Sequence, residues 1–552
     1  MLKNTFYKNK YYQINRSSII VEIQNVIGST LKKTPSQDYI ESFKLLIRGG
    51  FIKVSENNSL VLSTTAIKSM EKLIAKISRN FENYQPMKIY SSNQIEIAFE
   101  YLNSEIQSYR QLPSKSRLIN FRTNKEYYLK QGLLYPMISE TLNFITITNS
   151  NNIIKDENEK LLYTVEEIFR LLNIKVNQFY SFNPFNQFEY YSENKELALL
   201  YKEGKEQYVI CKKCDYYSRI EVATFFKRTN KEDELEMMIE IKTPGTNTIA
   251  SLAKFLDVEE SKCAKVVFYC YKLKSNSNIA VVIIRGDMEV SENKLKIILQ
   301  TDELQFATND ELISISAVPG YASAIGVNRE KCTVIVDDLI PESRNMVAGA
   351  NKLDYHLSNT NYGRDYEADI VADITLVQDN STCTECNSKL TITNGLPLFT
   401  SSLINRSEII NFLDNKGKPQ NADILISSFD ITRIFGTLAR VTDKFGVKLP
   451  HDLSPFQFVL MTIGNSDEII ELANNIYKDL NEKFDILFDN REVKFGVKLA
   501  DADLRSIHNR IIISKKTLEN NQVEFLVRGF KDRIYCQIED IESELENILN
   551  KS

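Results

Sequence analysis

Cys211-Lys212-Lys213-Cys214 and Cys383-Thr384-Glu385-Cys386 bracket the stretch whose reading decides how this chain is built. Between them run Thr243-Pro244-Gly245-Thr246-Asn247-Thr248-Ile249, Arg285-Gly286-Asp287, Gly349-Ala350-Asn351, Asp354-Tyr355-His356 and Asn361-Tyr362-Gly363-Arg364-Asp365. A block inserted into a host domain leaves the two cut edges of the host adjacent in space. A Cys pair at each edge then offers the four sulfurs of one closed, tetrahedral zinc site. Two reduced pairs at the insertion boundary are the alternative, and the long sequence separation of the pairs weakens the motif.

The 552 residues exceed what one core organises, and at roughly 100–200 residues per domain they suggest three or four. Apolar content of 43% and charge of 26% are those of a globular protein. The start, Met1-Leu2-Lys3-Asn4, lacks the apolar stretch of a secretory signal, and the reading is cytoplasmic. Thiols there stay reduced or bind metal. Cys263, Cys270, Cys332 and Cys536 read as buried thiols. A net charge of −5 excludes a generally basic nucleic-acid coat but leaves room for a local basic groove. Three histidines make His-rich metal chemistry a poor reading.

Outward from the block, residues 1–20 read as an extended arm or strand. Apolar spacing of three and four (Tyr39, Phe43, Leu46, Ile47) stopped by Gly49-Gly50 predicts a helix over 35–50. Helices are expected over 64–84, over 93–112 up to Pro113, and over 160–173, with strands near 117–121 and 142–148. Inside the block, 247–257 reads as helix, 265–273 and 279–285 as strands. The last hundred residues run strand (455–461), helix (466–482), strand (485–488), the order of an open α/β sheet.

These residues carry a resemblance. Ser29-Thr30-Leu31-Lys32-Lys33-Thr34-Pro35, Leu46-Ile47-Arg48-Gly49-Gly50-Phe51-Ile52 and Ser108-Tyr109-Arg110-Gln111-Leu112-Pro113 are similar to N-terminal strings of the bacterial-type prolyl-tRNA synthetases, class II enzymes with an inserted editing domain. The central block resembles that insert. Leu453-Ser454-Pro455-Phe456-Gln457, Asp489-Asn490-Arg491-Glu492 and Phe495-Gly496-Val497-Lys498-Leu499-Ala500-Asp501 resemble the anticodon-binding domain. The resemblance implies an α+β and α/β multidomain chain. Its expected parts are an antiparallel-sheet catalytic-type domain (1–225 and 383–445), an inserted editing-type domain (226–382) and a C-terminal anticodon-type α/β domain (446–552).

It also exposes departures. In that family an Arg and a Glu of Phe-Arg-x-Glu bind ATP, and here Phe121-Arg122-Thr123-Asn124 keeps only the Arg. The charges expected in the second half of that motif are replaced in Gln131-Gly132-Leu133-Leu134-Tyr135-Pro136-Met137. Of the proline-binding Thr-x-Glu, Asn93-Gln94-Ile95-Glu96 retains one carboxylate. Ser427-Ser428-Phe429-Asp430-Ile431-Thr432-Arg433 keeps the Arg that lies against ATP but not the glycines before it, so Phe429 and Asp430 are expected to obstruct the nucleotide. In the insert, Asn247 stands where the family has Lys, and Gly320-Tyr321-Ala322-Ser323-Ala324 keeps the loop's Gly but not its Pro.

The resemblance therefore implies remnant ATP-site residues Arg122 and Arg433, and editing-site candidates Asn247, Gly320, Asn351, His356, Gly363, Arg364 and Asp365. It implies tRNA-binding candidates Arg491, Lys494 and Lys498, and candidate zinc ligands Cys211, Cys214, Cys383 and Cys386. The expected function is that of a non-catalytic paralogue that binds tRNA or a protein partner, as a homodimer or as a heterodimer with a true synthetase. Two enzymatic readings stay open: a divergent ATP-dependent proline–tRNA ligase, and a deacylase of mischarged tRNA acting through the insert.

Overall fold

The computed structural model describes residues 20–551, apart from 36, 92–93, 125–126, 182–193, 230–232, 274–275, 302 and 531. The arm expected over 1–20 lies almost wholly outside them, as does Asn93. The chain forms two compact units, Met1–Lys175 with Glu408–Ser552, and Val176–Ser407. Among the described residues no helix is long and apolar enough to cross a membrane.

In the first unit, helix Glu41–Arg48 buries Phe43 and Leu46 and ends where two glycines follow. Gly50 has φ +73°, and a Cβ there would lie 2.6 Å from the Gly28 carbonyl oxygen, so both conformation and space require glycine. Helix Thr64–Ser78 follows. The helix expected over 93–112 is shorter, Gln94–Glu105. The Gln107 amide turns back onto the carbonyls of Asn103 and Ser104, and Ser108 with Gln111 caps a separate 3-10 turn, Tyr109–Gln111. Helix Asn151–Leu171 begins a full two turns before the expected 160, because its polar first half obscures the period although Ile154 is buried.

Strands Ser114–Thr123, Ile138–Thr148 and Pro419–Asp430 pair antiparallel. Arg122 pairs with Ser139 and Asp430 with Thr141. Ser139 and Thr141 are two apart, so Arg122 and Asp430 share one face of the sheet. Phe429 is on the other face, fully buried against Phe81, Phe144 and Phe169. The expectation that Phe429 obstructs a nucleotide is thus corrected by strand parity.

The C-terminal part of this unit is a five-stranded mixed sheet in the order Ile486–Asp489, Phe458–Ile463, Asn509–Ser514, Gln522–Val527, Arg533–Gln537. The first three strands are parallel and the last two antiparallel. Helices Asp467–Asn481 and Ile541–Lys551 contribute Ile469, Ile476, Leu545 and Ile548 to its core.

The second unit holds strands Asn177–Ser181, Asn194–Leu200, Glu206–Cys211 and Tyr217–Arg219, paired with one another and with the first part of the long strand Leu390–Leu413. The inserted block has a five-stranded mixed sheet: Leu304–Phe306, Ala264–Leu273, Asn276–Arg285, Cys332–Asp337, Ile370–Ala372. Beside it is a three-stranded antiparallel sheet, Ile239–Lys242, Tyr355–Thr360, Met346–Gly349.

Candidate functional sites

Asp430 ends its strand and caps the following helix, Ile431–Leu438, all eight residues of which are buried. Its Oδ1 accepts the Arg433 backbone N–H at 2.9 Å. Its Oδ2 accepts Nη2 of Arg122 at 2.8 Å and lies 3.5 Å from Nε of Arg433. The carboxylate is 5% exposed, the Arg433 side chain 7% and that of Arg122 35%. The Arg433 guanidinium lies 5.0 Å from the centre of the buried Tyr135 ring, a cation–π contact. Asn124 turns its amide back onto the Pro136 carbonyl (2.7 Å) and Ser139 Oγ (3.0 Å). Burial pushes the Glu140 carboxyl above the usual range, and Glu71 adds to the shift.

In the inserted block, His356 is buried on strand Tyr355–Thr360, and its Nδ1 shares a 2.6 Å hydrogen bond with Thr243 Oγ1. Burial lowers the His356 pKa, which favours the neutral imidazole. Asp354 Oδ1 accepts the Gly245 N–H at 3.1 Å and the Tyr321 hydroxyl at 2.9 Å, and these bonds hold its carboxyl below the usual range. Tyr321 lies 5.4 Å, ring to ring, from His356.

Asn351 has φ +49° and uses both ends of its amide within the 318–325 loop. Its Oδ1 accepts from the amides of Val318 and Ser323, and its Nδ2 donates to the carbonyls of Ser323 and Ile325. Gly320, at φ +80°, faces exposed Asn247 so closely that an added Cβ would stand 3.0 Å from the Asn247 Cβ. Asn247, Gly320, Asn351 and His356 thus belong to one constellation with Thr243, Gly245, Tyr321 and Asp354. Gly363, Arg364 and Asp365 form a turn of their own. Arg364 donates to the carbonyls of Glu236 and Asn359 and pairs with Asp365, whose other contact is the Asn361 N–H. A groove of about 400 Å³ in this block is lined instead by residues that include Asp233, Glu236, Lys262, Asn345 and Asn359.

The four boundary cysteines come together. Cys211 and Cys386 sulfurs are 3.4 Å apart, Cys214 and Cys383 3.7 Å, and all four lie within 4.8 Å of one another. None is in a disulfide. The Ser388 hydroxyl and amide draw the Cys386 thiol down, while burial pushes the Cys214 thiol up.

Of the three basic candidates in the C-terminal sheet domain, only Lys494 is exposed. Arg491 is held by Asp489 and Asp501 at 2.7 and 2.8 Å. Lys498 is 2% exposed, and its ammonium donates to the Thr462 and Asp489 carbonyls, each at 2.9 Å. The expectation of a phosphate-facing Lys498, which the resemblance implied, is corrected: the side chain is buried and its ammonium is spent on two backbone carbonyls.

Residues 243–366 match the family model of the aminoacyl-tRNA editing domain, and residues 457–548 that of the anticodon binding domain. The proline–tRNA ligase of Dehalococcoides mccartyi strain BAV1 is 26% identical over 559 residues, covering 94% of this chain and 97% of that one. That of Fusobacterium nucleatum is 26% identical over 565 residues, 94% and 98%. That of Salinispora tropica is 31% identical over 362 residues, 63% and 60%. Over most of its length the chain is homologous to proline–tRNA ligases.

Within this prolyl-tRNA synthetase homologue, Thr243, Asp354 and Tyr321 escaped sequence reasoning as site residues. The one available signal was their place inside the quoted motif strings. Tyr135 escaped as well, because an apolar run gives no hint that one of its rings meets an arginine 298 positions away, a separation fixed by Tyr135 and Arg433 themselves.

Proposed function

We propose that this prolyl-tRNA synthetase homologue is a non-catalytic paralogue that binds tRNA or a protein partner in the cytosol, as a homodimer or in a heterodimer with a true synthetase. The observation that carries this reading is the Asp430 carboxylate between Arg122 and Arg433. An internal anion already takes the cations that a nucleotide needs. Freeing Arg122 for a phosphate takes from a buried carboxylate its shortest charged contact and leaves it the Arg433 N–H and the more distant Arg433 Nε. The same carboxylate then repels the incoming phosphates. Tyr135 covers the Arg433 guanidinium, and Asn124 is spent on its own hairpin.

Charging of a proline tRNA with labelled proline, run beside an active ligase, tests the proposal. No charging, together with retention of the tRNA on a filter, is expected; charging overturns it.

The buried His356–Thr243 pair beside the 318–325 loop favours a second reading, deacylation of mischarged tRNA by the insert. Alanyl-tRNA bearing a proline anticodon is then hydrolysed, and His356→Ala slows the reaction. An unchanged ester lifetime rejects this reading and leaves the first intact.

A further inference from the structure

We propose that Cys211, Cys214, Cys383 and Cys386 bind one zinc ion as a closed tetrathiolate site that clips the outgoing and returning ends of the inserted block together. The backbone builds the site without help from the sulfurs. Strand Glu206–Cys211 pairs with the start of Leu390–Leu413, and Cys211 stands directly opposite Leu390. Each Cys pair then follows the same turn. The Cys211 N–H donates to the Tyr216 carbonyl at 3.0 Å, and the Cys383 N–H to the Ser388 carbonyl at 2.8 Å, five positions on in both cases. The first Cys of each pair is buried and the second half-buried. Two equivalent knuckles therefore face each other.

The sulfur spacing suits the ion. Zn–S bonds of about 2.3 Å in a tetrahedron set sulfurs about 3.8 Å apart. The cross-pair contacts are 3.4 and 3.7 Å and no sulfur pair exceeds 4.8 Å. The Lys213 N–H points at Cys211 Sγ at 3.5 Å, a donor that stabilises a metal-bound thiolate. Val209, Ala223, Val377, Leu390 and Ile392 pack around the quartet. Four protein ligands fill all positions, which makes the site structural. It closes the long loop between Cys214 and Cys383, in which the whole editing-domain match lies. The inference is independent of any synthetase or deacylase activity.

The test is metal analysis of the full-length protein purified under reducing conditions. One zinc per chain is expected. Exchange for Co²⁺ is expected to give the thiolate-to-cobalt charge-transfer and ligand-field bands of a tetrahedral site. Cys214→Ser with Cys386→Ser abolishes the metal, whereas Cys536→Ser, on an edge strand of another sheet, retains it. Stripping the metal from the unaltered protein lowers its melting temperature, so the claim does not depend on the double variant folding. A metal-free protein with all four thiols open to a thiol reagent, a disulfide among them, bound iron in place of zinc, or full zinc retention in the double variant would overturn the proposal.

Discussion

Nη2 of Arg122 stands 2.8 Å from Oδ2 of Asp430, joining two strands on either side of Ile138–Thr148. The same aspartate caps the helix carrying Arg433. One carboxylate is at once a helix cap and an ion-pair partner.

The pair is energetically coupled. In a double-mutant cycle of Arg122→Ala and Asp430→Asn, chemical denaturation is expected to show a coupling energy of about 1–3 kcal/mol. Loss of the cap charge contributes to the Asp430 single variant. Additivity within about 0.5 kcal/mol would show that the contact is not energetically real.

Acid destabilises the C-terminal domain through His508. Burial, with His451, Arg528 and Arg510 nearby, lowers its pKa to about 3, although the Leu449 carbonyl works the other way. Between about 6.5 and about 3 the unfolded chain binds a proton that the folded chain refuses. Stability is therefore complete above about 6.5 and falls by about 1.4 kcal/mol per pH unit below it. The raised carboxyl of Asp503 opposes this trend. His508→Gln isolates the imidazole: its stability profile from pH 7 to 5 is expected to be flatter than that of the unaltered protein. Parallel profiles would contradict the assignment.

Lys498 and Lys494 separate structure from surface. Lys498→Ala strands the Thr462 and Asp489 carbonyls and is expected to cost about 2–4 kcal/mol in urea denaturation. Lys494→Ala is expected to change stability by under about 0.5 kcal/mol. On tRNA it should weaken retention and reduce the salt slope by about 1. Equal stability losses for the two lysines would refute the distinction.

Asn351→Ala removes the clamp on the 318–325 loop. Faster amide exchange is expected in that loop, while Cys332–Asp337, in the sheet core, keeps its protection. Unchanged exchange in the loop counts against the clamp.

How far the sequence could be read depended on side-chain periodicity. Glu41–Arg48 and Asp467–Asn481 each bury one stripe, and their spacing shows it. Pro419–Asp430 is exposed at its first three residues and buried at the other nine, so it has no alternation to find. The short strands between Asn177 and Arg219 escaped for the same lack of a long pattern. Around Arg122 and Asp430 the departures from the family's strings were visible, but their consequences were not. Phe429 and Asp430 are neighbours in sequence, and only the register of three strands decides that one enters the core and the other meets Arg122. Lys498 likewise reads as surface charge, and only the fold brings its ammonium onto the Thr462 and Asp489 carbonyls.

Proline-dependent exchange of labelled pyrophosphate into ATP bears most directly on the claim that Asp430 has displaced ATP from Arg122 and Arg433. Exchange indistinguishable from the no-enzyme blank, beside a ligase control that exchanges strongly, is the predicted result. Proline-dependent exchange well above that blank would contradict it.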